Sequence, residues 1–180
     1  VTEITLSYQQ IQPFIQKELV NPTFLNEEAT GLDPNQKYIV LTFDDGPMPH
    51  TTTNILDVLR EKDVKATFFL LGQNAKKHPD LVKRIHEEGH EVGSHSYSHP
   101  LLTNLSKEAV EKEVKQTDRA IFEATGVIPR TFRPPYGAVN ADVAAIIGKP
   151  IIQWNIDSMD WHSKQKNATI QMIDQTASEG

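Results

Sequence analysis

The chain has 180 residues, 38% of them hydrophobic, enough for one domain with a real core. A formal charge of -6 and the lack of a basic stripe argue against nucleic-acid binding. The absence of cysteine excludes disulfides and thiolate metal sites, and apolar runs of only a few residues exclude a membrane span. In chain order, residues 1–31 are mixed, with Pro13, Pro22 and Gly31 interrupting two short apolar stretches. They read as a short helix and linker, or the tail of a preceding domain. No signal peptide opens the chain at Val1, as in a processed fragment, so any export signal is expected upstream.

From Leu32 to the end the pattern is that of one domain. Tyr38–Phe43 reads as a buried strand, and Thr51–Glu61 has Ile55, Leu56, Val58 and Leu59 at helical spacing. Ala66–Leu71 is a second buried strand, with Phe68 and Phe69 in the core. Pro79 and Gly89 frame a helix that buries Leu81, Val82 and Ile85. Glu91–His95 is a third strand. Ser106 caps a long helix that buries Val110, Val114 and Ile121 and stops at Gly126, with Leu105 and Val110 as a hydrophobic staple. Thr131–Arg133 is a fourth short strand. Asn140 caps a helix ending at Gly148, Ile151–Ile156 is a fifth strand, and Ala168–Ala177 is a final helix. Alternating strands and helices predict an α/β fold with a parallel sheet, open or closed into a barrel.

In such folds functional groups gather at the carboxyl ends of the strands. Asp44 and Asp45 follow the first strand, and His95 and His99 in "SHSYSHP" follow the third. Arg133 and Tyr136 in "RPPYG" follow the fourth, and Asp157, Asp160 and Trp161 in "DSMDW" follow the fifth. His95 and His99 stand four apart, a spacing that sets two imidazoles on one side of a helical turn. Two histidines and a carboxylate, with a position open for water, form a common catalytic zinc set. The adjacent aspartates raise a difficulty, because neighbours on a strand face opposite ways. Gly46 and Pro47 are expected to turn the chain so that both acids reach the rim. A divalent metal then takes one, Arg133 offsets the other with a bidentate pair, and the second acid is free to act as a base toward water. His50, His78, His86 and His90 are expected to face solvent, and Trp154 to lie in the core. His162 is kept in view. Trp161 is placed on the rim, where an indole can wall a small apolar pocket.

In order and spacing, "TFDDGP", "HSYSHP", "RPPYG" and "DSMDW" resemble successive motifs of the polysaccharide deacetylases, the NodB-homology domains of carbohydrate esterase family 4. The likeness covers the chain from about residue 37 onward. It implies a distorted (β/α) barrel and metal-dependent deacetylation of a polysaccharide. The metal is one divalent ion, usually zinc, with cobalt or nickel as substitutes. By position, Asp44 resembles the general base, and Asp45, His95 and His99 the metal ligands. Arg133 resembles the partner that orients Asp44, and the Tyr136 backbone N–H an oxyanion donor. Asp160 resembles the acid that orients a catalytic histidine, and Trp161 the wall of the acetyl pocket. The family's later "Leu-x-His" strand end is not found before Gly180, so the last strand and its general acid are expected beyond it.

The resemblance implies an extracellular or cell-wall enzyme acting on N-acetylglucosamine polymers, peptidoglycan first. Chitin or chito-oligosaccharide deacetylase and acetyl-xylan esterase are the alternatives within the family. A non-catalytic, metal-containing carbohydrate-binding paralogue is the alternative of another class, and the Asp44–Arg133 combination argues against it because a binding module needs no base. A small-molecule amidohydrolase on a related barrel fits "RPPYG" and "DSMDW" less well.

Overall fold

The structure, a computed structural model, describes residues 39–177. The reading of residues 1–31 and the start of the first strand at Tyr38 lie outside the described residues. The chain divides into two compact units, one containing Val40–Ile152 and the other described at Ile39 and over residues 153–177.

The first unit is built on a parallel sheet. Strands β1 (Thr42–Asp44), β2 (Thr67–Leu70) and β3 (Glu91–Ser94) pair in that order, with Thr42 opposite Thr67 and Thr67 opposite Glu91. The fourth and fifth predicted strands shrink to single parallel bridges, Ser94 with Phe132 and Phe132 with Ile151. Pro134 and Pro135 follow the first of these segments and Pro150 precedes the second, and proline supplies no ladder donor. The sheet curls strongly. A flat arrangement would put Phe132 about 14 Å from β1, three steps of roughly 4.8 Å, farther than an arginine side chain extends. Yet Arg133 Nη1 donates to the Thr42 hydroxyl at 2.7 Å. That reach across the sheet is what a distorted barrel requires.

The helices start and stop largely where their caps predict. Helix α1 (Pro49–Lys62) has proline in its first turn, and α3 (Pro79–Glu87) likewise. Between β2 and α3 lies α2 (Gly72–Lys77), a short helix without a capping side chain and unannounced by the sequence. Helix α4 (Lys107–Thr125) is capped by Ser106 Oγ, which accepts from the Ala109 N–H at 3.3 Å, and ends at Gly126 with φ 75°. Helix α5 (Ala141–Ile147) is capped by Asn140 Oδ1, which accepts from the Val143 N–H at 2.9 Å. One core cluster joins Leu56, Leu59, Phe68, Leu70, Val82, Ile85, Val92 and Ile121 from α1, β2, α3, β3 and α4. A second joins Leu102, Val110, Val114, Phe132, Val143 and Ile147, so α4 seals both. Each fully buried Leu, Ile or Phe contributes about 1.5–3 kcal/mol.

Three expectations fail here. The first strand, read as buried over Tyr38–Phe43, pairs over Thr42–Asp44, and Ile39 and Val40 ahead of it are 63% and 76% exposed. His90 is buried rather than solvent-facing, its Nδ1 accepting from the Ala66 N–H at 3.3 Å and its ring packed edge-on to Phe68. It closes the base of β2, and burial pushes it below the usual histidine value. Trp154, expected in the core, is 42% exposed.

The second unit contains α6 (Asp160–Ser163) and α7 (Lys166–Thr176). No helix among the described residues is long and apolar enough to cross a membrane.

Candidate active site

The paired acids are separated by the backbone itself. Asp44 ends β1, and Asp45 adopts a left-handed conformation with φ 66°. The strand's alternation therefore breaks at Asp45, one residue earlier than the expected Gly46–Pro47 turn. Aspartate tolerates that region better than most residues. The turn is tied down by Asn74 Nδ2, which donates to the Asp45 carbonyl at 2.8 Å, and by the Leu71 N–H, which donates to the Gly46 carbonyl at 3.0 Å.

His95 and His99 are brought together by a loop, not by the helical turn their spacing suggested. The stretch after β3 turns at Ser96 and His99, with φ 65° and 64°. The Ser96 hydroxyl accepts from the His99 N–H at 3.1 Å. Four spacing alone cannot distinguish this loop from a helix, because both set the rings side by side. The ring centroids lie 5.0 Å apart.

Asp45, His95 and His99 present one ligand atom each, all within 4.8 Å of one another. Asp45 Oδ1 stands 3.6 Å from Nε2 of both histidines. Donors bound tetrahedrally at about 2.0–2.2 Å stand roughly 3.4 Å apart, so the set fits a divalent cation of zinc's size with little adjustment. The tautomer of His95 agrees. Its Nδ1 lies 2.6 Å from the Arg133 carbonyl, which can only accept, so Nδ1 bears the proton and Nε2 faces Asp45 with a lone pair able to bind a cation. Burial holds His95 below the usual histidine value, against the pull of Asp44, the Arg133 carbonyl and Asp45, and so favours the neutral form that binds metal. His95 is 4% exposed, whereas His99 and Asp45 are 26% and 63% exposed, which leaves one side of the set open to water and ligand.

Arg133 joins the two halves of the site. Its Nη1 donates to Asp44 Oδ1 at 2.8 Å as well as to Thr42, and its Nε donates to the Ile152 carbonyl at 3.2 Å. The guanidinium lies over the Phe69 ring, 4.2 Å from its centroid. Asp44 Oδ2 in turn lies 3.9 Å from His95 Nε2, so the second carboxylate borders the ligand set without belonging to it. Tyr136 sits in a tight turn with φ 59° and packs its ring against His99, centroids 4.7 Å apart. Left-handed backbone at Asp45, Ser96, His99 and Tyr136 costs on the order of 1–3 kcal/mol at each position, and its concentration here marks a built site.

Asp160 and Trp161 belong to the second unit. Asp160 Oδ1 accepts from the Ser158 hydroxyl at 2.6 Å, and Trp161 is 64% exposed. Residues the sequence reading missed include Thr42, Phe69 and Asn74. Thr42 had a signal, since it shares a strand face with Asp44; Phe69 and Asn74 had none.

Replacing His95 or His99 with alanine should lower bound metal from about one equivalent to near none, read by elemental analysis after metal loading. Full occupancy in both variants would remove this ligand set.

Residues 31–150 match the family described as polysaccharide deacetylase. Over 134 residues the chain is 54% identical to the peptidoglycan-N-acetylglucosamine deacetylase PgdA of Listeria monocytogenes, covering 74% of this chain and 28% of that protein. It is 48% identical over 138 residues to a chitooligosaccharide deacetylase of Rhizobium leguminosarum bv. trifolii, covering 75% and 63% of the two chains. The structure of the peptidoglycan deacetylase PdaC from Bacillus subtilis superposes with a TM-score of 0.79 at 40% identity, covering 82% of this chain and 73% of that one. This chain thus spans from about a quarter to under two thirds of the length of these two curated relatives. With the matched segment containing both acids, both histidines, Arg133 and Tyr136 in a shared fold, the chain belongs to the metal-dependent polysaccharide deacetylase family, carbohydrate esterase family 4.

Proposed function

We propose that the protein hydrolyses the N-acetyl groups of N-acetylglucosamine residues in a polysaccharide, peptidoglycan foremost. The observation behind this reading is the Arg133-paired Asp44 beside a three-ligand set, a base placed next to a cation site. Asp45, His95 and His99 would hold the cation, for which we propose zinc. When bound, it supplies Lewis acidity toward water and the acetyl carbonyl. Asp44 takes the proton of the attacking water, and Arg133 keeps the carboxylate aimed. The Tyr136 backbone N–H is assigned to the oxyanion that develops on the acetyl group. Asp160 is assigned to orienting the histidine that protonates the leaving amine, and Trp161 to enclosing the acetyl methyl. A cell-wall polymer as substrate implies an extracellular or wall-associated location, which we propose with it.

The test is a side-by-side acetate-release assay on peptidoglycan, N-acetylglucosamine oligomers and acetylated xylan. Release from the first two is expected to exceed release from xylan; the reverse order would move the protein to the esterase branch. Arg133→Lys should lower turnover by about 10–100-fold with little change in KM, as for other partners behind a reacting group. One ammonium cannot reproduce the contacts to Asp44, Thr42 and the Ile152 carbonyl together, or the stack on Phe69. A pure KM effect would reassign Arg133 to substrate binding.

A further inference from the structure

The loop between the two histidines is gripped by a side chain that no motif announces. Glu113, in the first half of α4, accepts from the backbone N–H groups of Tyr97 and Ser98 through Oε2, each at 2.8 Å. Its Oε1 accepts from the Ser98 hydroxyl, also at 2.8 Å. From the other side, the Ser96 and Tyr97 carbonyls accept from the N–H groups of Gly72 at 3.0 Å and Gln73 at 3.1 Å, at the start of α2. The fit is close: a Cβ on Gly72 would lie 2.6 Å from the Tyr97 ring and 2.8 Å from Thr117 Cα on α4.

The two histidines are secured unequally. His95 is pinned within the sheet by its own N–H, which donates to the Leu70 carbonyl at 2.9 Å, and by Nδ1 on the Arg133 carbonyl. His99 lies beyond the sheet, at the far end of a loop with left-handed residues at Ser96 and His99. Hydrogen bonds to a carboxylate are roughly twice as strong as neutral ones. Three of them converge on the residues just before His99.

We propose that Glu113 is a positioning residue for the cation site, holding the loop in the conformation that delivers His99 Nε2 to Asp45 and His95. The proposal rests on the reading of Asp45, His95 and His99 as ligands. Loss of Glu113 should act on His99 and leave His95 in place. Glu113→Gln should substitute well, because its amide oxygen can accept both N–H groups and its amide nitrogen can donate to the Ser98 hydroxyl oxygen.

The experiment loads the full chain with cobalt(II) and reads its affinity by chelator competition, its visible d–d absorption and its thermal midpoint. Glu113→Ala is expected to bind cobalt about 10–100-fold more weakly with an altered d–d band, and Glu113→Gln to recover most of the affinity. Wild-type affinity and band in Glu113→Ala, even with a lowered thermal midpoint, would make Glu113 a general brace and overturn the proposal. Loss in Glu113→Gln as deep as in Glu113→Ala would overturn the hydrogen-bond account. Should Glu113→Ala not fold, Glu113→Asp decides: one methylene short, it weakens cobalt binding if the grip matters and leaves it unchanged if not. A wild-type chain that binds no cobalt would remove the cation site itself, whereas bound cobalt with indifferent Glu113 variants would remove this proposal alone.

Discussion

Asp44→Asn should leave metal content near the wild-type level and lower acetate release by roughly 10²–10⁴-fold, the contribution of a positioned acid or base. Asparagine keeps the shape of the side chain and an oxygen for Arg133 Nη1, now 2.8 Å from Oδ1, but cannot accept a proton from water. The atoms proposed to hold the cation are on Asp45, His95 and His99, so the substitution leaves that donor set intact. Arg133 stays buried with a weaker partner, and some stability will be lost. Elemental analysis and turnover on the same preparation separate the two roles. If Asp44→Asn emptied the site and activity followed metal content, the two acids would have to exchange roles.

The largest stability effect is expected far from the chemistry. Asp118 of α4 is 1% exposed and pairs with Lys149, 4% exposed, in the connection between α5 and the Ile151 bridge. Asp118→Ala strands a buried ammonium and should cost about 3–5 kcal/mol in denaturant unfolding. The paired replacement Asp118→Leu with Lys149→Met should recover most of that loss, because no buried charge remains. The pH dependence has a definite sign. Burial lowers the Lys149 value from 10.5, and removing Asp118 removes the attraction that opposes this. The unfolded chain then binds the proton more tightly than the folded one, so stability of Asp118→Ala rises as pH climbs through the depressed folded value toward 10.5. A loss below about 1 kcal/mol, the ceiling for exposed pairs, would mean that Lys149 escapes to solvent.

Much of the scaffold was legible in the chain because its signals are local. Periodicity exposed the buried faces of α1, α3 and α4. Ser106, Asn140, Gly126 and Gly148 marked helix ends through hydrogen bonds and left-handed turns that reach only a few residues. The rim was legible too, since a parallel α/β sheet puts every strand's carboxyl end on one side. Asp44, Asp45, His95, His99 and Arg133 could therefore be grouped before any coordinates. Strand lengths were overestimated where prolines interrupt the ladder around Phe132 and Ile151. His90 was misread because it follows a helix end, where side chains usually face solvent, and only contact with Ala66 and Phe68 from the neighbouring strand segment buries it.

Sequence by itself thus determined most of the helices, the order of the elements and the residues gathered on one rim, all consequences of periodicity, caps and parallel topology. Tertiary structure alone decided how those residues meet. Curling of the sheet brings Arg133 to Thr42 and Asp44, 91 and 89 positions away, with its carbonyl on His95. The left-handed turn at Asp45 sends adjacent acids to different partners, and Glu113 meets the histidine loop from a helix 15 and 16 residues along the chain. These contacts depend on how far a sheet bends and how closely helices pack on it. Both are set by the sum of the core's side-chain volumes, which no short stretch of residues encodes.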